Sequence, residues 1–351
     1  MTMNVLGYAA KSAKAHLEPY RFERRDARPD DVVIEILYCG VCHSDLHHVN
    51  GDWKTNYPVV PGHEIIGRVI SVGQNVTRFK AGDRVGVGCM VDSCQHCKPC
   101  KLGLEQYCEE GSTLTYNDTD RHDQRPTFGG YSEKIVVSDK FVLRIPDGLD
   151  LKGAAPLLCA GITTWSPLKH WQVKEGSHVA VVGLGGLGHM AIKLAKGLGA
   201  RVTLFTRSTG KEADARRLGA DEVIISTDKD QMAAVKGRFD LIVDTVPYAH
   251  DLNPYIPTLS LSGTLVLVGF LGELQPAVDS SALVTGRKSV AGSMIGGIAE
   301  TQEMLDFCGK HGITSDVEMI NMQDIDKAYA RMLKSDVKYR FVIDMASLQK
   351  K

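Results

Sequence analysis

The sequence predicts an α/β chain in two parts, a β-rich unit and a doubly wound parallel sheet. Three observations carry that reading. From about Asp31 to Arg144 short apolar runs, DVVIEILYCG, EIIGRVISVG, GDRVGVGC and EKIVVSDKFVLRIP, alternate with Gly, Pro and Asp, the texture of short strands joined by turns. From about Leu151 strands alternate with helical segments, as βαβ units require. Between the strand HVAVV and the next helix stands Gly183-Leu-Gly185-Gly186-Leu-Gly188, in the context that makes such a glycine run a dinucleotide fingerprint.

The elements follow in order. The candidate strands of the second part are HVAVVG, RVTLFT, EVIIS, FDLIVDTV and TLVLVGF. In the first helix Leu187, Met190, Ala191, Leu194, Ala195 and Leu198 recur on one face, and Gly199 is a stop signal. A later helix, ETQEMLDFCGKHG, aligns Met304, Leu305 and Cys308, and a final amphipathic helix runs near Asp324 to Lys334. The polar stretch from Asn117 to Gly130 reads as a surface loop.

The chain has 351 residues, room for two domains at roughly 150 residues each. With 41 basic and 42 acidic side chains, it has no overall bias toward nucleic acid or anionic membranes, so small molecules or protein are the expected partners. No apolar run reaches the roughly 18 residues that span a bilayer, and the start MTMNVLGYAAKSAKAH lacks the apolar core of a signal peptide. The expected setting is the cytoplasm, where disulfides are rare. Seven of the nine cysteines lie between Cys39 and Cys108, so metal ligation is the better first reading.

Cys94-x2-Cys97-x2-Cys100-x7-Cys108 gathers four thiolates, the donor set of a closed structural zinc site. An iron–sulfur cluster also uses four thiolates in CxxCxxC runs. Such a site has no open position, so its expected role is to fold a loop too polar to bury itself. A second group, in GVCHSDLHHVNGDW and VVPGHEIIG, holds Cys42, His43, Asp45, His47, His48, His63 and Glu64. Catalytic zinc takes about three protein ligands and keeps one position open. Cys42 and His63 are the first two candidates. Cys159, isolated in APLLCAGITT, is the candidate third, with burial as a small hydrophobe the competing reading. His47 and His48 taken singly read as surface or hydrogen-bonded histidines, and Cys39, Cys89 and Cys308 as packing.

Gly183, Leu184, Gly185, Gly186, Leu187 and Gly188 are the cofactor-binding candidates of the glycine loop, which brings pyrophosphate to a helix N-terminus. Sites that prefer NAD place an acid at the end of the next strand. Here that strand ends Thr206-Arg207-Ser208 with Lys211 following. Hydroxyl and guanidinium donors suit a 2′-phosphate, so NADP(H) is expected over NAD(H), with a solvated Arg207 as the alternative.

Together CGVCHSDLH, PGHEIIGRV, the cysteine loop, APLLCAGITT, GLGGLGH, GSMIGG and YRFVID resemble the zinc-dependent medium-chain alcohol dehydrogenases, in the cinnamyl alcohol dehydrogenase-like branch that includes bacterial aldehyde reductases. The resemblance covers essentially the whole chain. It implies a GroES-like catalytic domain from residues 1–155 and 293–351, a Rossmann domain from 156–292, an active site in the cleft between them, and a homodimer. It implies two zinc ions per chain: a catalytic one on Cys42, His63 and Cys159, which Glu64 can approach, and a structural one on Cys94, Cys97, Cys100 and Cys108. Ser44 matches the hydroxyl that contacts substrate oxygen, His47 the outer member of a proton relay through the cofactor ribose, and Asp45 the group that orients the ligand histidine. Thr163, Thr206, Arg207, Lys211, Thr245, Gly269, Ser293, Ile295 and Arg340 match cofactor contacts, and His43 a pyrophosphate contact. Trp53, Met90, Leu114 and Met294 fall at the substrate pocket, where the plant lignin enzymes carry tryptophan in place of Leu114 and phenylalanine in place of Met294.

The implied activity is reversible hydride transfer between NADPH and aromatic or medium aliphatic aldehydes. A polyol or sugar dehydrogenase would share these metal and cofactor residues, but the apolar pocket positions disfavour it. A zinc-ribbon nucleic-acid module is disfavoured by the neutral charge, and a silent NADP-binding sensor by the intact set Cys42, Ser44, His47, His63 and Cys159.

Overall fold

The computed structural model describes residues 3–349. The chain divides into two compact units, Met1–Cys159 with Gly296–Lys351, and Ala160–Ile295. No helix among the described residues is long and apolar enough to cross a membrane.

The first unit is built on a seven-stranded sheet whose spine is the strand Asp31–Gly40. That strand is buried along almost its whole length, as expected of a strand covered on both faces. One edge pairs antiparallel with Ile65–Val72, from Val32↔Val72 to Cys39↔Ile65. Two strands share the other edge: Lys134–Ser138 pairs with its first half, and Arg340–Asp344, from the far end of the chain, pairs with Tyr38–Gly40. Val317–Asn321 lies parallel to Arg340–Asp344. The C-terminal segment thus completes the sheet beside Cys42.

Before Asp31 the sequence offered no strand signal, yet Met3–Ala9 and Glu18–Arg24 form an antiparallel pair. Only Phe22 and Arg24 of the second strand are buried, so its alternation is carried by few apolar residues.

The second unit is a six-stranded parallel sheet in the spatial order Glu222–Ile225, Arg201–Thr206, His178–Val182, Phe239–Asp244, Leu259–Leu267, Ser289–Gly292. Numbered within the unit this is 3-2-1-4-5-6, the Rossmann order with its switch point at the first strand. The strand read as TLVLVGF begins five residues earlier in chain order, at Leu259, because Leu259 pairs with Phe239 across a register shift that the apolar pattern conceals. The first helix, Gly186–Gly197, buries Met190, Ala191, Leu194 and Ala195 as the spacing predicts. It also buries His189 and Ile192, while Leu187 and Leu198 are only partly covered. Gly199 follows with φ 88°, a left-handed stop. The later helices are Ile298–His311, which buries Met304, Leu305 and Cys308, and Ile325–Leu333.

Candidate functional site

The first unit holds two groups of metal-ligand atoms. In one, the ligand atoms of Cys42, His63, Glu64 and Cys159 lie within 4.8 Å of one another. Cys42 is the N-cap of the helix His43–Asn50, with extended backbone. His63 and Glu64 immediately precede the strand Ile65–Val72, and Cys159 ends the turn Ala155–Leu158. The Cys42 and Cys159 sulfurs are 3.9 Å apart, against about 3.8 Å for the edge of a tetrahedron with 2.3 Å Zn–S bonds. Two thiols, one imidazole and a carboxylate are a zinc donor set, and the geometry fits.

Asp45 holds this group together. It is fully buried and accepts from Cys42 N at 2.9 Å, Gly62 N at 3.0 Å, His63 Nδ1 at 3.2 Å and Tyr131 Oη at 3.3 Å, with the Tyr116 hydroxyl a further partner. With Nδ1 committed, His63 presents Nε2 to a metal. Burial opposes protonation of His63, but the Asp45 carboxylate outweighs it and raises the imidazole pKa well above its usual value. The hydrogen bond from Cys159, helped by His63 and Arg340, holds the Cys42 thiol well below the usual range.

Glu64 is equally buried, and burial pushes it up to about 7 despite Arg340. Its Oε1 contacts Arg340 Nη2, and its Oε2 has no hydrogen-bond partner. An orphaned carboxylate oxygen beside two thiols and an imidazole fits a cation. Gly40 makes room for it, since a Cβ there would stand 1.9 Å from Glu64 Oε2. Arg340 is further fixed by two bonds to Val41 O, at 3.2 and 2.9 Å, so this cofactor candidate sits within the buried cluster.

Around the group, Ser44 Oγ lies 3.7 Å from Cys42 Sγ. His47, one turn further along the helix, pairs with Asp52 at 2.9 Å and stacks on Trp53, with ring centroids 4.8 Å apart. His43 is exposed. His48 is tied through Nδ1 to Thr55 and Asn117, and its ring packs edge-on against Trp53 and Tyr116. Met90 and Leu114 are register partners, the first buried and the second 40% exposed. Met294 belongs to the second unit.

Three neighbours escaped the sequence reading. Tyr116 is buried and stacks on His63 at 5.7 Å, and Tyr131 supports Asp45. Cys89, taken as strand packing, stands in a bend between strands, and its thiol interacts with Cys159 and points at Leu158 O, 3.8 Å away. A GxGC run has no local signal for this, because the contact spans 70 residues. Cys39 and Cys308 are packed in the core.

The second group brings the sulfurs of Cys94, Cys97, Cys100 and Cys108 within 4.8 Å of one another, with Cys94 and Cys100 3.9 Å apart. Backbone amides donate inward, Cys94 N to Cys108 Sγ at 3.4 Å and Cys97 N to Cys94 Sγ at 3.3 Å. Arg121, from the polar loop, adds a guanidinium contact to Cys108 at 3.8 Å. Four soft donors and inward N–H groups stabilise the thiolate charge a zinc ion requires. His96 and Glu110 pair at the exposed rim of this group.

In the second unit the glycine loop follows the strand His178–Val182. Gly183 has φ 88°, and a Cβ on Gly188 would meet Gly183 O at 2.1 Å, so both glycines are dictated by the turn. Gly185 is exposed with open space above it, at the N-cap of the helix. Leu184 is buried, and its carbonyl receives Lys211 Nζ at 3.0 Å. Thr206 and Thr245 are buried at the ends of their strands, Thr245 bonded to Val182 O at 2.8 Å. Ser208 accepts at its carbonyl from Thr206 Oγ1 at 3.4 Å. Arg207 is exposed and donates to Tyr248. Gly269 and Ser293 follow the fifth and sixth strands, and Thr163 lies buried in the helix Ala160–His170. Ile295 has φ 38°, a strained conformation for a β-branched residue of the kind found at ligand sites.

Residues 28–147 match the family described as Alcohol dehydrogenase GroES-like domain, and residues 186–310 that described as Zinc-binding dehydrogenase. The chain is 53% identical over 348 residues to aldehyde reductase YahK of Escherichia coli (strain K12), covering 99% of each. Among solved structures it is similar to the cinnamyl alcohol dehydrogenase SbCAD4 of Sorghum bicolor, with a TM-score of 0.95, 46% identity and 99% of each chain covered. The CAD of Helicobacter pylori complexed with NADP(H) gives a TM-score of 0.91 at 44% identity, again over 99% of each chain.

Proposed function

Since the chain belongs to the zinc-binding alcohol dehydrogenases with a GroES-like domain, in their cinnamyl alcohol dehydrogenase-like branch, we propose that it is an NADP(H)-dependent alcohol dehydrogenase and aldehyde reductase acting on aromatic and medium aliphatic aldehydes. The observation that carries this reading is the buried group Cys42, His63, Glu64 and Cys159, with His63 backed by Asp45 and one carboxylate oxygen left without a partner.

Cys42, His63 and Cys159 would hold a catalytic zinc, with the Glu64 carboxylate beside them. Cys94, Cys97, Cys100 and Cys108 would hold a second, structural zinc. When bound, the catalytic zinc supplies Lewis acidity toward a carbonyl oxygen and NADPH supplies the hydride. The protein's part is to bind, orient and move a proton. Asp45 keeps the His63 ring in one tautomer. Ser44 presents its hydroxyl beside Cys42 and donates to the substrate oxygen as charge develops there. Its proton must be replaced, and His47, on the same helix face at i+3 and paired with Asp52, returns it from solvent. Trp53, Met90 and Leu114 provide apolar surface in the first unit, which suits an aromatic or alkyl group better than a polyol.

The unit Met1–Cys159 with Gly296–Lys351 serves as the catalytic domain and Ala160–Ile295 as the dinucleotide domain, bounds three to four residues beyond the expected 155 and 293. The glycine loop Gly183–Gly188 receives the pyrophosphate, while His43 and Arg340 carry over as cofactor contacts from the resemblance alone. Thr206, Arg207, Ser208 and Lys211 receive the adenosine end. Thr163, Thr245, Gly269, Ser293 and Ile295 line the remainder. The active species is a homodimer. The edge strand Ser289–Gly292 and the exposed Leu261, Phe270 and Val284 of the same unit support it, because an unpaired edge with apolar neighbours is a template for a second copy. Its setting is the cytoplasm, where nine free cysteines stay reduced.

The reading is tested by following NADPH consumption with benzaldehyde, hexanal and a polyol series. Turnover on both aldehydes and none on polyols is expected. Polyol oxidation with no aldehyde reduction would overturn it.

A further inference from the structure

The cofactor assignment leaves one set of residues unexplained at the ends of the strands Arg201–Thr206 and Phe239–Asp244. Arg207 follows the first, and its Nη2 donates to Tyr248 Oη at 2.9 Å. Tyr248 stands in the short loop that follows Asp244, and that loop is tied to one buried carboxylate. Asp244 is 0% exposed. Its Oδ1 accepts from Val246 N at 3.0 Å, and its Oδ2 lies 2.9 Å from His250 Nε2. At that distance the two form an ion pair whenever His250 is protonated. His250 Nδ1 is in turn 2.9 Å from the Tyr248 carbonyl oxygen. His250 thus links the buried acid and the backbone of Tyr248. The Asp244 carboxylate raises the pKa of His250.

The chemistry of the contact decides what it does. A carboxylate partner would orient Arg207 but also cancel its charge. A phenol oxygen is neutral, so it fixes the guanidinium while leaving its charge and its other N–H donors available to an anion. Lys211, the second cation here, donates to the equally neutral Leu184 O at 3.0 Å and also keeps its charge. Arg207 differs in that its partner is a side chain, Tyr248, which can be removed without touching the backbone.

We propose that Tyr248 is a positioning residue for nucleotide selectivity: it fixes the Arg207 guanidinium to receive the 2′-phosphate of NADP(H), with His250 and Asp244 holding Tyr248 in place. This rests on the reading of Arg207 as the 2′-phosphate contact. Preorganising one charged donor changes affinity by a modest factor.

The test uses the full, zinc-loaded enzyme and two probes that differ in the phosphate, 2′,5′-ADP and 5′-AMP, with binding read by calorimetry and fold by thermal melting. Tyr248→Phe is expected to weaken 2′,5′-ADP about 3- to 5-fold and leave 5′-AMP unchanged, the scale of one oriented hydrogen bond. His250→Gln acts in the same direction. Arg207→Ala weakens 2′,5′-ADP by more than about 10-fold, as loss of a charged contact should, and the Arg207→Ala, Tyr248→Phe double variant loses nothing further. If Arg207→Ala is selective while Tyr248→Phe binds both probes as the parent does, the positioning role is wrong and the Arg207 reading stands. If the two losses add, or if Tyr248→Phe weakens both probes equally, Tyr248 acts independently and the inference is overturned. If Arg207→Ala leaves 2′,5′-ADP unchanged, both readings fall.

Discussion

Replacing Asp45 by asparagine tests how the protein prepares His63. The carboxylate accepts Cys42 N and Tyr131 Oη on Oδ2 and Gly62 N and His63 Nδ1 on Oδ1, with the Tyr116 hydroxyl a further partner. An amide of the same shape keeps one acceptor oxygen and puts an NH2 where the other stood, so two donors face a donor whichever way it turns. Both were bonded to a buried charge, each such bond being worth about 1.5–3 kcal/mol. Relaxation will recover part of this, leaving an expected loss of about 3 kcal/mol. Where the His63 side is lost, the ring is free to rotate, and zinc affinity should fall about 10- to 100-fold. Chelator-driven zinc release, monitored with a colorimetric indicator, should show one of two zinc ions leaving faster while the other keeps its parental rate. Tyr131→Phe removes one donor and leaves the His63 bond intact, so it should lower the melting temperature with a much smaller effect on release. An Asp45→Asn protein that melts and releases zinc as the parent does would refute the reasoning.

Other predictions follow from the same geometry. Cys97→Ala opens the four-sulfur cage and should give a protein that holds one zinc and aggregates; a well-folded variant with two zinc ions by metal analysis contradicts the structural role. Gly188→Ala places a Cβ 2.1 Å from Gly183 O and should abolish NADPH binding by fluorescence titration while the catalytic zinc is retained; parental NADPH affinity would contradict it. Asp120 is held to about 2, with its partial burial outweighed by Arg28 and the amides of His122 and Asp123. A depressed carboxylate stabilises the fold above the ordinary carboxylate range and loses that contribution as pH falls through its folded pKa. Asp120→Asn should therefore melt below the parent at pH 7, with the difference disappearing toward pH 2; a constant difference would show that charge is not the cause.

What could be read from the sequence was local. The four-cysteine spacing fits within one loop, the glycine run declares itself by lying between a strand and a helix, and the parallel strands of the second unit carry continuous apolar runs. Residues joined by the fold were harder. Cys159 stands 117 residues from Cys42 and had no periodic or spacing signal, so only resemblance raised it above a packed thiol. Tyr116 and Tyr131 drew no reading and Cys89 reads as packing, and nothing local shows that they converge on His63, Asp45 and Cys159. Tyr248 lies in a loop 41 residues beyond Arg207, and the two strands that precede them flank the central strand His178–Val182, so only the sheet order brings the two together. Arg340 was identified only by its motif; its burial against Glu64 depends on a C-terminal strand pairing with Tyr38–Gly40.

The central claim is that Cys42 belongs to a catalytic zinc site distinct from the cysteine loop. The most direct measurement is zinc content and NADPH-dependent benzaldehyde reduction on the same preparations of parent and Cys42→Ala. The account predicts two zinc ions and turnover for the parent, and for the variant a folded protein with one zinc and no turnover. A Cys42→Ala enzyme that reduces benzaldehyde at the parental rate, or keeps both zinc ions, would contradict it.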